Sequence, residues 1–209
     1  MTFMETVPSH HEKDSIISSF RIFFRDPLVI GFFLLIIIPT YVASTFLTYF
    51  FPIFAEANHV TSSNVGRLFI LNGVFIIYLG PVLSRFFSKR LSSGITMVIG
   101  SGLWAVALLI SAITGNFAGA VIALILMGIT EGFCVSAQNS FFLDMKASTS
   151  IGEDQAIGYF EMVGKFAEMF GPILFSLAII LGQFAGLSII AAGVFGLAAI
   201  YVLFAMRKS

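Results

Sequence analysis

Ionisable side chains stand inside two long apolar stretches of this chain, where each must be neutralised or put to use. Glu161, Lys165 and Glu168 follow one another at spacings of four and three residues, so they share one face of a helix. Glu131 stands in the preceding stretch at a similar depth, which permits an ion pair with Lys165. A charge at the centre of a bilayer costs about 3 kcal/mol. Three acids and one base leave a formal charge of −2, which protons, a bound cation or basic groups of a partner must balance.

These charges also have structural interpretations. We predict that Glu131 handles a substrate or a proton, and the alternative is a polar contact with another helix. Lys165 and Glu168 fit either role equally. Glu161 lies near enough to the boundary for its side chain to reach lipid headgroups, so a role at the membrane surface is favoured for it.

Uncharged polar side chains extend the candidate pathway. Gln138 and Asn139 follow Glu131, and they either contact a substrate or form hydrogen bonds between helices. Tyr41 and Thr45 belong to a row of hydroxyl groups in the first apolar stretch and are predicted to line the pathway in part. No HExxH motif and no serine–histidine or paired-aspartate arrangement lies in these stretches. The sequence therefore predicts no enzyme, no cofactor and no metal site.

Six apolar stretches make up most of the chain after residue 27. Hydrophobic residues account for 58% of the sequence and charged residues for 11%, whereas a soluble domain carries about 25% charge. About 20 apolar residues carry a helix across the hydrocarbon core, and runs such as 34–38 do not alternate as barrel strands do. The sequence thus predicts an all-α membrane protein with six transmembrane helices. The predicted spans are 28–52, 68–86, 94–113, 117–141, 157–181 and 184–206.

The basic residues predict the orientation of these spans. Nine of the eleven Lys and Arg residues fall on alternate gaps or at the two ends of the chain, whereas the opposite gaps hold only Arg67. Basic residues mark the cytoplasmic side. Both termini are therefore predicted to be cytoplasmic, in a multi-pass protein of the cell (inner) membrane. The nine residues are Lys13, Arg21, Arg25, Arg85, Lys89, Arg90, Lys146, Arg207 and Lys208.

The chain divides into a cytoplasmic segment 1–27, a membrane domain 28–206 and a tail 207–209. An amphipathic surface helix is predicted at 16–24, and Asp26 followed by Pro27 is a favourable helix start. Asp154 is predicted to cap the fifth span, and one of the residues 62–64 to cap the second. The third and sixth spans hold no ionisable residue and are predicted to face lipid, while the other four line a polar interior. This polar, polar, apolar order recurs, which predicts two three-helix repeats, 28–113 and 117–206.

Three segments resemble signatures of the major facilitator superfamily. The segment from Gly80 to Arg90, with Arg85 and Lys89, is similar to the family's Gly-x-Leu-Ala-Asp-Arg-x-Gly-Arg-Arg loop, although Ser84 replaces the acid and Phe87 the second glycine. The segment 20–27 is similar to the cytoplasmic entry into the family's seventh span, and 171–172 to the Gly-Pro bend of its eleventh helix. The resemblance implies one six-helix half of such a carrier, namely the C-terminal half. It also implies that Gly80, Arg85, Lys89 and Arg90 form a cytoplasmic gate loop, with 1–27 as part of the central loop.

We therefore expect a secondary active transporter of a small solute, a symporter or antiporter working by alternating access. Proton coupling through Glu131 is a further hypothesis. The expected partners are the solute, a proton or cation, the lipid bilayer, and either the N-terminal half, in the same or another chain, or a second copy; nucleic acid is not expected. The alternative from another class is a membrane sensor or anchor attached to signalling domains, without transport.

Overall fold

The computed structural model describes residues 25–206, with side chains as far as Leu203. The surface helix predicted at 16–24 and the tail 207–209 lie outside these residues. All regular secondary structure in the described part is helical, and six helices are long and apolar enough to cross a membrane. The predicted fold class is confirmed. The spans are Pro27–Ala57, Ser62–Ser88, Ser93–Thr114, Phe117–Leu143, Glu153–Ile180 and Gln183–Met206, and a short helix, Lys146–Ile151, precedes the fifth.

One of the three predicted helix starts is found. The Asp26 carboxylate accepts a hydrogen bond from the Leu28 N–H (2.8 Å), and Pro27 opens the first turn. The prediction for Asp154 is wrong, because the fifth span begins directly after Gly152, whose φ of +92° suits glycine, and Asp154 falls within the first turn. An acid there still interacts favourably with the helix dipole.

The second span is longer than predicted at its outer end. It begins at Ser62, and the cap position is Thr61, whose side chain makes no capping hydrogen bond. The expectation of a cap at 62–64 is therefore wrong, because these polar residues continue the helix instead of ending it.

The first span is not a uniform α-helix. Two π-helical segments, Phe33–Ile37 and Phe46–Phe50, interrupt it, and each lies shortly before a proline, Pro39 or Pro52. A proline removes one helical hydrogen bond, and a wider turn is one way in which the backbone adapts. Thr40, Tyr41, Ser44 and Thr45 lie between the two distorted segments, and Thr48 and Tyr49 lie within the second one.

The spans pack as an arc in the order second, fourth, third, sixth, first, fifth, and the fifth span also contacts the sixth and the fourth. The second and fifth spans stand at the two ends of this arc and are the least covered by their neighbours, while the third is among the most covered. The alanine- and glycine-rich side of the third span packs between the fourth and sixth spans, where Trp104 is buried, so the expectation that this span faces lipid stays a prediction for its exposed side alone. Its other side remains exposed, as at Ile113.

Small residues allow the closest approach of the second and fourth spans. A β-carbon at Gly80 would lie 2.8 Å from the Gly132 α-carbon, so that only glycines fit where the two backbones meet. Farther along, the Asn72 side-chain amide donates to the Leu124 carbonyl (2.7 Å). We call this line of contacts the glycine seam; it holds the helix of Glu131 in place.

A comparable line joins the first and fifth spans. Tyr41 packs against Gly164 and Thr45 against Gly171. The hydroxyl groups of Tyr49 and Ser176 are hydrogen-bonded at 2.8 Å. In the two predicted repeats the first span corresponds to the fourth and the second to the fifth, so the contact between the first and fifth spans is the counterpart of the glycine seam. The repeats themselves stay a prediction.

Candidate functional site

Lys165 is held by Glu168. Its ammonium nitrogen donates to both carboxylate oxygens at 3.0 Å, and the two side chains are 66% and 33% exposed. No direct ion pair joins Lys165 to Glu131 or to Glu161 within residues 25–206. Of the two carboxylates within about one helical turn of Lys165, Glu168 is more shielded than Glu161, and an ion pair is stronger where water is scarcer. Helical spacing alone would favour Glu161 as the partner, since a glutamate four residues before a lysine is the preferred order.

Glu131 faces this ion pair from the fourth span. It is half-buried and lies within electrostatic range of both Glu168 and Lys165. Glu131 stands 12 residues before Leu143, and Lys165 stands 12 residues after Glu153. At 1.5 Å per residue, each lies about 18 Å from the same end of the bundle. That end, which carries Arg85, Lys89 and Arg90 at the close of the second span, is called the basic end below.

Tyr41 completes this group. Its side chain interacts electrostatically with Glu131, Glu161 and Glu168, and its ring meets Phe160 edge-on at a centroid distance of 6.1 Å. The first, fourth and fifth spans therefore each contribute to one polar group of side chains. We call Tyr41, Glu131, Glu161, Lys165 and Glu168 the charged cluster.

A break in the fifth span adjoins the charged cluster. The helix stops at Glu168 and resumes at Gly171. Pro172 lacks the N–H that would donate to the Glu168 carbonyl, so the break follows from the sequence. Broken helices within a membrane are tolerated where the freed backbone groups face protein or a water-filled cavity. The Glu168 backbone and side chain thus present oxygen atoms at the same point.

Three other candidate residues lie outside the charged cluster. Gln138 is fully buried two helical turns from Glu131, and its amide nitrogen donates to the Thr40 hydroxyl (3.4 Å), which is the interhelical use foreseen for it. Asn139, one residue farther, is half-buried and rotated about 100° round the helix. The Thr45 hydroxyl donates to the Val42 carbonyl of its own helix (2.5 Å).

The segment predicted as a gate loop is mostly helical. The second span continues through Pro81 to Ser88, so that only 89–92 connects it to the third span. Gly80 lies in the glycine seam, away from any loop, and Arg85 sits in the last helical turn. Lys89 is exposed, and the Arg90 guanidinium lies 4.4 Å above the Phe86 ring. Lipid supplies no competing hydrogen bonds for the backbone, which favours continuing the helix past a proline.

The exposure of Lys165 is the most informative property of this site. Its side chain is two-thirds exposed in a helix that is long and apolar enough to span the membrane. A charged group at that depth is not stable against acyl chains and must meet water or protein. We therefore expect the face of the bundle that carries Lys165 to meet water or a protein partner.

Sequence reasoning missed two contributions to this arrangement. The π-helical segments of the first span were not foreseen, although Pro39 and Pro52 were a visible signal. Asn72 was noted only as a polar residue of the second span, and its role in the glycine seam depends on a carbonyl that no sequence pattern identifies.

Six membrane-spanning helices with a polar cluster at mid-depth define an integral, multi-pass membrane protein of transporter type. The family model of the Major Facilitator Superfamily matches residues 2–153, and the chain belongs to this family. Members of the family are transporters and not enzymes. No curated protein and no solved structure matches the chain.

Proposed function

We propose that this bundle is one half of a secondary active carrier of a small solute and works by alternating access. The observation that carries the proposal is Lys165, which is charged, exposed and about 18 Å from the end of its span. In such carriers the solute site lies near mid-membrane between two bundles. The charged cluster is the part of this chain suited to that position.

The second bundle would cover the open side of the arc. The exposed faces of the second and fifth spans are apolar, and Ile77, Tyr78, Phe166 and Met169 are each at least 60% exposed. An apolar surface suits lipid as well as protein, and the charged groups beside it favour a second bundle over lipid. We propose that the covering bundle is the N-terminal half of the carrier, in the same or another chain, or a second copy of this one.

The charge of the cluster favours proton or cation coupling. Glu131, Glu161 and Glu168 outnumber Lys165, which leaves −2 when all are ionised. Lys165 contacts Glu168 while Glu131 stands within electrostatic range. A proton on Glu131 would leave Lys165 with Glu168, and its loss would add a competing carboxylate. Glu131 thereby links protonation to the position of Lys165.

The basic end supplies the other moving part of the proposal. Arg85 and Lys89 are exposed at the close of the second span, where they would meet acidic groups of the covering bundle when that side closes. We propose that this end faces the cytoplasm, in agreement with the distribution of basic residues.

Proton flux in liposomes tests the proposal. The complete assembly is reconstituted with an internal pH indicator, and sugars, amino acids and organic cations are added one class at a time. At least one class should change the internal pH, and Glu131→Gln should abolish this change. Glu153→Gln, an exposed acid at the first turn of the fifth span, is the matched control and should leave it intact. Solute-driven proton flux that persists in Glu131→Gln would exclude Glu131 as the coupling group.

A further inference from the structure

A cleft of about 610 Å³ opens at the basic end between the second, third and fourth spans. Hydroxyl groups dominate its polar lining, and Asp144 is the only charged residue among the described residues that line it. Hydroxyl groups both donate and accept hydrogen bonds, so they suit a ligand that carries both signs of charge. The serines of the lining are Ser84, Ser88, Ser92, Ser93, Ser136 and Ser140. We call this space the serine cleft.

An apolar groove continues from the serine cleft. A cavity of about 430 Å³ between the third and sixth spans shares Ser92, Gly94 and Phe141 with the cleft. A second apolar cavity, of about 420 Å³, shares Ile99 with the first and extends to Leu109. The third span lines this groove over about 22 Å, which exceeds the roughly 15 Å of one hydrocarbon leaflet.

The groove lies on the side of the arc opposite its open ends. The third and sixth spans pack against each other at the middle of the arc, remote from the exposed second and fifth spans. A covering bundle on the open side leaves the groove to the bilayer. A polar cleft that leads into an apolar groove has the shape and polarity of a lipid headgroup followed by an acyl chain.

We propose that a phospholipid with a primary ammonium headgroup, such as phosphatidylethanolamine, binds in the serine cleft and groove. Its ammonium group pairs with Asp144, and its phosphate accepts hydrogen bonds from serine hydroxyls of the cleft other than Ser88, whose hydroxyl donates to the Arg85 carbonyl. The backbone N–H groups of Ser93 and Gly94 begin the third span and add two donors, since Ser92 already caps Ile95. One acyl chain passes Gly94 into the groove. An anionic headgroup would meet Asp144 and no basic partner among the described residues of the cleft, because Arg85, Lys89 and Arg90 belong to the same end but do not line the cleft.

In this proposal the Asp144 carboxylate selects the headgroup, and Gly94 leaves room for the acyl chain. A β-carbon at Gly94 would lie 3.3 Å from the Phe141 ring, so a larger side chain there narrows the passage between cleft and groove. Asp144 is exposed, and its replacement by asparagine leaves the packing of the spans unchanged.

The single tryptophan reports on the groove. Trp104 is buried on the inner side of the third span, between Leu103 and Ala105 of the groove wall in sequence, and lipids with brominated chains quench nearby tryptophan without touching it. The chain is reconstituted in phosphatidylcholine with a small, equal fraction of brominated phosphatidylethanolamine, phosphatidylcholine or phosphatidylglycerol. Phosphatidylethanolamine should be enriched at the groove by about fivefold over phosphatidylcholine. This factor corresponds to the upper end of the free energy that an exposed ion pair contributes.

The variants separate a specific site from bulk lipid. Asp144→Asn and Gly94→Leu should each remove the enrichment, whereas Asp154→Asn, an exposed acid at the same end outside the cleft, should keep it. Equal quenching by all three lipids would mean that the groove is filled by bulk lipid only and would overturn the proposal. Enrichment that survives in Asp144→Asn, or a preference for phosphatidylglycerol, would overturn it as well. Should Gly94→Leu fail to fold, Asp144→Asn still decides the question.

Discussion

Replacing Gly80 by alanine should loosen the glycine seam and weaken the bundle. The new β-carbon would lie 2.8 Å from the Gly132 α-carbon and 3.2 Å from its carbonyl atoms. Carbon atoms in contact prefer about 3.5 to 4.0 Å, so the second and fourth spans must separate by about 1 Å at this point. The obstacle is backbone and cannot rotate aside. Overpacking of this kind costs about 1 to 3 kcal/mol.

Gly73 provides the matched control on the same helix. A β-carbon there meets no atom within 4 Å. Alanine favours a helix over glycine by up to about 1 kcal/mol, and this gain is common to both positions. The difference in the free energy of unfolding between the two variants therefore measures the cost of disturbing the glycine seam. We expect Gly73→Ala to be more stable than Gly80→Ala by about 1 to 3 kcal/mol.

Unfolding by sodium dodecyl sulfate in mixed micelles, followed by circular dichroism, gives the two free energies. The free energy of unfolding of Gly73→Ala should equal or exceed that of the unchanged chain. The free energy of unfolding of Gly80→Ala should be lower than both. If Gly80→Ala proves as stable as Gly73→Ala, the two backbones do not meet as described. The packing that positions the helix of Glu131 would then lose its support.

Two further changes test neighbouring features by the same assay. Asn72→Ala removes the hydrogen bond to the Leu124 carbonyl and should destabilise the chain by about 0.6 kcal/mol, the average for such bonds in a membrane; an unchanged free energy would show that this bond contributes nothing. Pro172→Ala restores an N–H opposite the Glu168 carbonyl and should stabilise the chain by about 1 kcal/mol while slowing transport. Pro27→Ala, at a first-turn position where no partner is lost, should be neutral; equal effects of the two proline changes would refute a special role for the break.

The six spans were predictable because hydropathy is a property of the residues themselves and needs no knowledge of contacts. The start at Asp26 was predictable for a similar reason, since proline acts on its own backbone, whereas the interruption at Gly171-Pro172 was expected from the resemblance to the family's Gly-Pro bend. The burial of the third span was not, because glycine and alanine have no ionisable group to reveal which side packs against a neighbour.

The charged cluster was only partly predictable. Helical spacing placed Glu161, Lys165 and Glu168 on one face, and counting along the spans placed Glu131 at the same depth. The choice of Glu168 as the ion-pair partner depends on how much water each carboxylate retains, which is set by the first and fourth spans. The helical path through Pro81 agrees with the predicted span 68–86, whereas the resemblance to a loop signature did not indicate that Gly80 lies at a contact between two helices.

The central claim is that the face bearing Lys165 meets water and not acyl chains. Lys165→Cys and Val106→Cys place thiols at depths that agree within about 2 Å, on the charged cluster and on the exposed side of the third span. The thiolate is the reactive form, and it needs water. With the complete assembly in liposomes, a water-soluble maleimide should label Lys165→Cys readily and leave Val106→Cys unlabelled. Equal resistance of both thiols to labelling would contradict a wet interior at the charged cluster.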